Sequence, residues 1–559
     1  MGATLRALRA LVLFCGFYLL SLVLLAVAAA VDVAAVTWAP DAFAGKVVIV
    51  SLLLAVPVVR GMFMLRTPRG EEPSGLPVTE ADEPRLWALV RELAAATGTR
   101  APDAVVLTGD VNAGVGEEPR LLGLRPGPRR LYLGVPLLTG LTEARLKAVL
   151  AHEYGHFTGG DTRLSVLAVR GRVQIARTVG HFHAQADGRE AAERTWQEKA
   201  AVRRTAKGRQ ARKVDTAGAG ITYRLMAAVY TAYARLYMRA TLSTARAQEY
   251  AADLAAARIA GRDATVSALR ELPVLSAAHG FYLDTYATLG LPARQLPPRG
   301  QFFGGFGRML TARETELAGQ REQLPTAPGS PYDSHPPIAD RVRRIGELPA
   351  DGRGADDDGP ALALLTDPAR TLAALEDAVL TDEVRQFERA GEWEQLLCSS
   401  MAAGLASLDT PLHRALALHT EDRPTLPALL RLIDDGRLWQ LALRLPSPEQ
   451  APTEQAPTAQ AATEQAPTEQ DPAFRESVRP VLRDSLRSMV LAEFSARSLL
   501  HWEFSWSRPA AVRLPGSASD LDGETGTEAA LHAALTAALA DHPDTGPLRA
   551  LLPPTPQPA

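Results

Sequence analysis

"AHEYGHFTGGD" (Ala151–Asp161) decides how the rest of the chain is read. It carries two histidines four residues apart, with a glutamate directly after the first. On an α-helix, positions i and i+4 share one face. His152 and His156 are therefore expected to point the same way and to be able to share one metal ion. Glu153 lies about 100° further round the helix. It is badly placed as a ligand of that ion and well placed to reach a water beside it. This is the H-E-x-x-H arrangement of two zinc ligands and a general base. The flanks support a helix. Leu146, Val149, Leu150 and Tyr154 form an apolar stripe at helical spacing. Thr142 is an expected N-cap, and Gly159-Gly160 an expected stop.

Two protein ligands are too few, because catalytic zinc usually has three and keeps one position for water. The third is expected on an element that packs against the first helix. "ARAQEYAADLAAARIAG" (Ala245–Gly261) fits best. It reads as an alanine-rich helix ending at a glycine, and Glu249 and Asp253 share one of its faces.

Three motifs now stand in order: H-E-Y-G-H, then E-Y-A-A-D, then "SHPPIADR" (Ser334–Arg341), with "VNAGV" (Val111–Val115) upstream. Together they resemble the zinc metallopeptidase family of the HtpX-type membrane peptidases and the CAAX prenyl endopeptidases, over roughly residues 80 to 346. The resemblance implies that His152, His156 and Glu249 are the zinc ligands, one ion per chain, and that Glu153 is the catalytic base. It implies that Asp253 is a proton donor or a carboxylate behind the ligands, and that His335 stands near the substrate carbonyl. Arg341 and Asp161 match supporting residues around the metal. Asn112 and Ala113 match an edge-strand motif that binds substrate. Gly114 departs from the family, which usually has a bulkier residue there. The substrate class implied is protein or peptide. For the bacterial members, membrane-protein quality control is the theme. The alternative is a catalytically silent relative that uses the same fold for binding or scaffolding at a membrane.

Composition agrees. The net charge of −3 gives no basis for nucleic-acid binding, and no recognition motif for it appears. The two cysteines, Cys15 and Cys398, cannot build a disulfide framework, which fits a reducing compartment. Leu11 to Val31 holds no charge over 21 residues, enough for a helix to span a bilayer. Val47 to Leu65 is a second candidate, interrupted by Arg60. Arg6 and Arg9 precede the first segment, and Arg60, Arg66 and Arg69 end or follow the second. The positive-inside rule then places the N-terminus and the long C-terminal body in the cytoplasm of a multi-pass cell-membrane protein.

Two further apolar stretches, "RLSVLAVRGRVQIARTVGHF" and "ITYRLMAAVYTAYARLYMRA", carry an arginine every several residues. They read as long amphipathic helices on the membrane or as a hairpin beside the site. His181 and His183 there read as surface residues. The basic stretch Arg194–Lys213 between them reads either as a solvated helix or mobile loop or, near a cytoplasmic membrane surface, as a contact for anionic lipid.

"DAVVL", "VNAGV" and "RLYLG" (Arg130–Gly134) are strand candidates for a small sheet beside the histidine helix, and residues 83–98 an amphipathic helix. "QFFGGFGRML" (Gln301–Leu310) reads as a mobile lid or a packing turn. The expected architecture is mainly α. It comprises a membrane anchor with two transmembrane helices (1–70), a zincin-type catalytic domain with a small β-sheet (71–348), and a helical C-terminal domain (349–445 and 473–545). A five-residue repeat at 446–472 interrupts that domain and is expected to be disordered.

Overall fold

The computed structural model describes residues 3–63, 74–117, 127–157, 162–205, 220–324, 336–352, 359–419, 424–445, 468–513 and 527–552. The elements, in chain order, begin with the apolar helices α1 (Ala3–Trp38) and α2 (Asp41–Phe63), followed by β1 (Gly75–Val78), α3 (Pro84–Ala96), β2 (Ala104–Thr108), β3 (Ala113–Glu117) and β4 (Arg129–Gly134). Next come α4 (Val135–Gly140), α5 (Glu143–Gly155), α6 (Thr162–Thr205), α7 (Ile221–Ala260) and α8 (Arg262–Tyr282), then β5 (Gln295–Leu296), α9 (Gln301–Ala312), α10 (Glu314–Glu322), α11 (Ile338–Gly346) and α12 (Pro368–Val379). The remainder is α13 (Asp382–Arg385), β6 (Glu388–Arg389), α14 (Trp393–Ala406), α15 (Pro411–His419), α16 (Leu426–Asp434), α17 (Leu438–Ala442), α18 (Pro472–Ala496), β7 (His501–Glu503), β8 (Ala511–Arg513), α19 (Thr527–Ala538) and α20 (Gly546–Leu551). The chain is mainly helical with small sheets, as its patterning implies.

Contacts divide it into two units that interleave in sequence. The first takes residues 1–277 and 315–379, the second 278–314 and 380–559. The chain leaves the first unit within α8 and returns to it at α10.

In the first unit the sheet order is β1-β2-β4-β3. Strand β2 runs parallel to β4, and the outer strands β1 and β3 pair antiparallel. Val105, Leu107, Leu131 and Leu133 are fully buried, while the intervening Val106 and Tyr132 are partly exposed. One face thus packs on the core, as period-2 alternation requires. Strand β1 carries too short and proline-interrupted a pattern to stand out in the sequence. Strand β3 begins at Ala113, so Asn112 lies just before it. The Asn112 carbonyl accepts from the Gly134 amide at 2.7 Å. A Cβ on Gly134 would meet the Asp110 carbonyl oxygen at 1.8 Å, so only glycine allows this approach.

Helices α1 and α2 are long and apolar enough to cross a membrane. Their outer faces expose Leu19, Leu22, Val27, Ile49 and Leu52. The stretches that read as amphipathic are α6 and α7, which pack antiparallel against each other; both contact α1, and α6 also contacts α2. Tyr223, Tyr230 and Tyr237 repeat every seven residues on α7 and are buried with Phe14, Phe17, Ile175 and Phe182. Seven residues are close to two helical turns, so the three rings form one seam. Tyr230 and Ser21 hydroxyls bond at 2.8 Å, and the Tyr223 hydroxyl donates to the Leu53 carbonyl at 3.3 Å. His181 is partly buried and His183 exposed on α6. The C-terminal part of α6 contains the described half of the basic stretch. It points away from the histidine helix, because Gly171 meets Tyr237 while Gly220 meets Ala186.

The second unit has an apolar core of α15 to α20, including Leu416, Leu429, Trp439, Leu482, Leu486 and Leu535. Its segment 301–312 is not a lid or a turn but the helix α9. Gly305 sits where a Cβ would meet Tyr282, Trp393 and Trp506 side-chain atoms within 3.1 Å, so the glycine serves close packing. The greater part of the five-residue repeat lies outside the described residues.

Candidate metal centre

Helix α5 starts at Thr142, whose hydroxyl accepts from the Arg145 amide at 3.4 Å, as expected of an N-cap. It ends one residue before His156, which is the C-cap and keeps helical angles (φ −64°, ψ −19°). The i,i+4 relation of the two histidines therefore survives, and their rings lie 4.8 Å apart. The expected stop at Gly159-Gly160 lies outside the described residues.

Helix α7 passes close beside α5. A Cβ on Gly155 would stand 2.9 Å from the Ala252 Cα, so the glycine and the alanine run of α7 set the interhelical distance. This close approach brings Glu249 to both histidines. Its carboxylate oxygens lie 3.7 Å from His152 Nε2 and 3.7 Å from His156 Nε2. One ligand atom from each of His152, His156 and Glu249 falls within 4.8 Å of the others, so the three can hold a metal ion. Two imidazoles and a carboxylate are a zinc donor set, and His156 keeps 30% of its side chain exposed on the open side.

Asp253, one turn along α7, is 1% exposed and takes a 3.0 Å contact with His152 Nδ1. With Nδ1–H donating to Asp253, Nε2 is left to face Glu249, where it can ligate a metal ion. Arg341 on α11 is 8% exposed and donates to both Asp253 oxygens, at 2.6 and 2.9 Å. Its Nη2 also stands 3.4 Å from both ring nitrogens of His152. Burial works against the Asp253 charge, but hydrogen bonds from Arg341 and His152 outweigh it and hold the carboxyl below its usual range. Behind α5, the buried Glu271 of α8 faces Arg145 at 3.6 Å and Arg321 at 2.7 Å, tying α5 to α8 and α10. Nothing in local pattern marks Glu271, since it reads as an ordinary acid on a mixed helix.

Glu153 is partly exposed on α5, and Ala113 opens the edge strand β3, which lies against α5. Asp161 and His335 lie outside the described residues. Sequence reasoning missed Arg129, and it read Tyr154 only as part of the apolar stripe. Tyr154 sits fully buried between the two histidines in sequence, with no hydrogen-bond partner for its hydroxyl among the described residues. Burial pushes its ionisation well above the ordinary tyrosine range, against a smaller opposing pull from Arg129.

Paired histidines on one helix, with a carboxylate from a second helix packed across them, define the class of H-E-x-x-H metallopeptidases. Residues 80–348 match the model of peptidase family M48, the family of HtpX and the CAAX prenyl endopeptidases. No solved structure matches the chain.

Proposed function

We propose that the chain is a membrane-anchored zinc endopeptidase that hydrolyses peptide bonds in proteins at the membrane, with its catalytic unit facing the cytoplasm. The observation that carries this reading is the convergence of His152, His156 and Glu249 within a region matched by the M48 family. In this reading those three residues hold one zinc ion. Zinc held there supplies Lewis acidity, acidifying a water and polarising a carbonyl. Glu153 takes the proton of the attacking water and delivers it to the leaving amine. Asp253 and Arg341 keep His152 in the tautomer and orientation that a ligand needs. His335 is proposed to donate to the developing oxyanion, and Asp161 to support a ligand histidine. Backbone of the edge strand at Asn112 and Ala113 pairs with an extended substrate, a mode indifferent to most side chains. The outer faces of α1 and α2 meet lipid.

The test is Glu153→Gln, which keeps shape but cannot accept a proton at neutral pH. Cleavage of casein or of an unfolded membrane protein in detergent with zinc is expected to fall by about 10²–10⁴ or more, with zinc content unchanged. Undiminished, chelator-sensitive cleavage by the variant rules out Glu153 as the base.

A further inference from the structure

Strand β3, Ala113-Gly-Val-Gly-Glu117, is two-fifths glycine, and glycine weakens a strand's own hold on its conformation. Among the described residues it is also an edge strand, with a ladder to β4 on one side only. The last pair of that ladder joins Glu117 to Arg129. Arg129 is 8% exposed. Its Nε and Nη2 donate to Glu117 Oε2 at 3.3 and 2.9 Å, and its Nη1 donates to the Arg100 carbonyl at 2.6 Å. The same guanidinium lies over the ring of Phe157, 4.5 Å from its centroid. Phe157 directly follows His156. One buried, planar cation therefore grips the C-terminal end of the edge strand and packs against the end of the histidine helix. A guanidinium can do both because its rim donates while its face stacks, and lysine cannot.

We infer that Arg129 is a positioning residue that sets the edge strand at a fixed distance from the histidine helix, so that an extended substrate paired to β3 presents its backbone at the metal centre. This rests on the peptidase reading above. The inference concerns substrate binding and not the chemical step, because Arg129 touches the strand and Phe157 and none of His152, Glu153, His156 or Glu249 in the contacts described.

The experiment compares wild type with Arg129→Lys and with Glu117→Gln, which removes the anion while keeping its shape. Four quantities are read: KM and kcat on a quenched-fluorescent peptide, zinc per chain, and amide exchange across residues 113–117. For Arg129→Lys, KM rises on the order of tenfold with kcat changed by under about threefold, zinc stays at one per chain, and exchange in β3 quickens on the order of tenfold. Glu117→Gln shows the same pattern at smaller size, and it serves as the test if Arg129→Lys does not fold. A fall in kcat and zinc with KM unchanged overturns the inference and makes Arg129 a brace of the metal centre. Unchanged KM and unchanged exchange overturn it too. Absence of chelator-sensitive cleavage by the wild type overturns the peptidase reading and the substrate role together, whereas cleavage with an unaltered KM in both variants overturns the positioning role alone.

Discussion

The two units spend their buried volume differently. Among the described residues, every buried Asp, Glu and Arg belongs to the first unit: Glu83, Arg129, Glu249, Asp253, Glu271, Arg341 and Glu376. The buried polar groups of the second unit are His279, Ser400, Ser485 and Thr545, set in a core made mainly of leucine. Both units are helical, so helix formation does not account for the contrast. A leucine core needs only volume and pattern. A buried charge needs a partner in a defined place, and it loses most of its Coulomb gain to desolvation. The first unit's charges thus contribute little net stability and a great deal of geometry. Arg341 holds Asp253, Asp253 orients His152, and Glu271 ties down the helix that carries both histidines.

The comparison is broken most sharply at Arg341. Arg341→Met leaves Asp253 buried without its cation and is expected to cost about 3–5 kcal/mol in urea unfolding of the detergent-solubilised protein, with loss of zinc. Adding Asp253→Leu to that variant should recover most of the stability and none of the zinc. If the double variant stays as unstable as the single one, the charges hold the unit together rather than position its ligands.

The counterpart in the second unit is Leu482, fully buried on α18. Leu482→Ala should cost about 2–5 kcal/mol by the same measurement, through lost transfer energy and a residual cavity. Zinc per chain should stay at the wild-type value. A drop in zinc there would show that the apolar core also sets the metal geometry.

Gly134 probes backbone approach rather than side-chain chemistry. Gly134→Ala drives a Cβ into the Asp110 carbonyl, and strain of about 1–3 kcal/mol is expected. Quickened amide exchange in β3 and β4 would locate the damage in the sheet, and exchange confined to other elements would contradict the tight approach.

The smallest effect is expected at Asp434, whose side chain remains 44% exposed. It accepts from Thr545 at 2.5 Å and pairs with Arg549 at 2.7 Å. Slight burial pushes its pKa up, but these two partners win and hold it below the usual value. A depressed folded-state pKa contributes stability above the unfolded value, near 4, and loses it as pH falls through the folded value. Asp434→Asn should therefore cost under about 1 kcal/mol at pH 7, and the difference from wild type should shrink as pH falls below the unfolded value and vanish once pH is below the folded one. A gap that stays undiminished as pH falls through this range would assign the effect to shape rather than charge.

Local pattern alone determined much of this protein. The apolar runs of α1 and α2, the period-2 strands β2 and β4, and the capped helix with His152 and His156 on one face all follow from spacings of a few residues, which the backbone converts directly into faces. Glu249 and Asp253 stood out as an acid pair on an alanine helix. Their relation to the histidines came from a resemblance, because nothing local links two distant helices. Tertiary structure decided the rest. The glycines of 301–312 mark turns in isolation, yet neighbouring aromatic rings make the same glycines the condition for packing a helix. Arg129 and Glu271 look like surface charges until burial and partners are known. Gly155 carries no local signal of its packing role until Ala252 lies against it. In each case the deciding quantity is a distance between segments far apart in the chain, which is set by how elements pack and is absent from any local stretch.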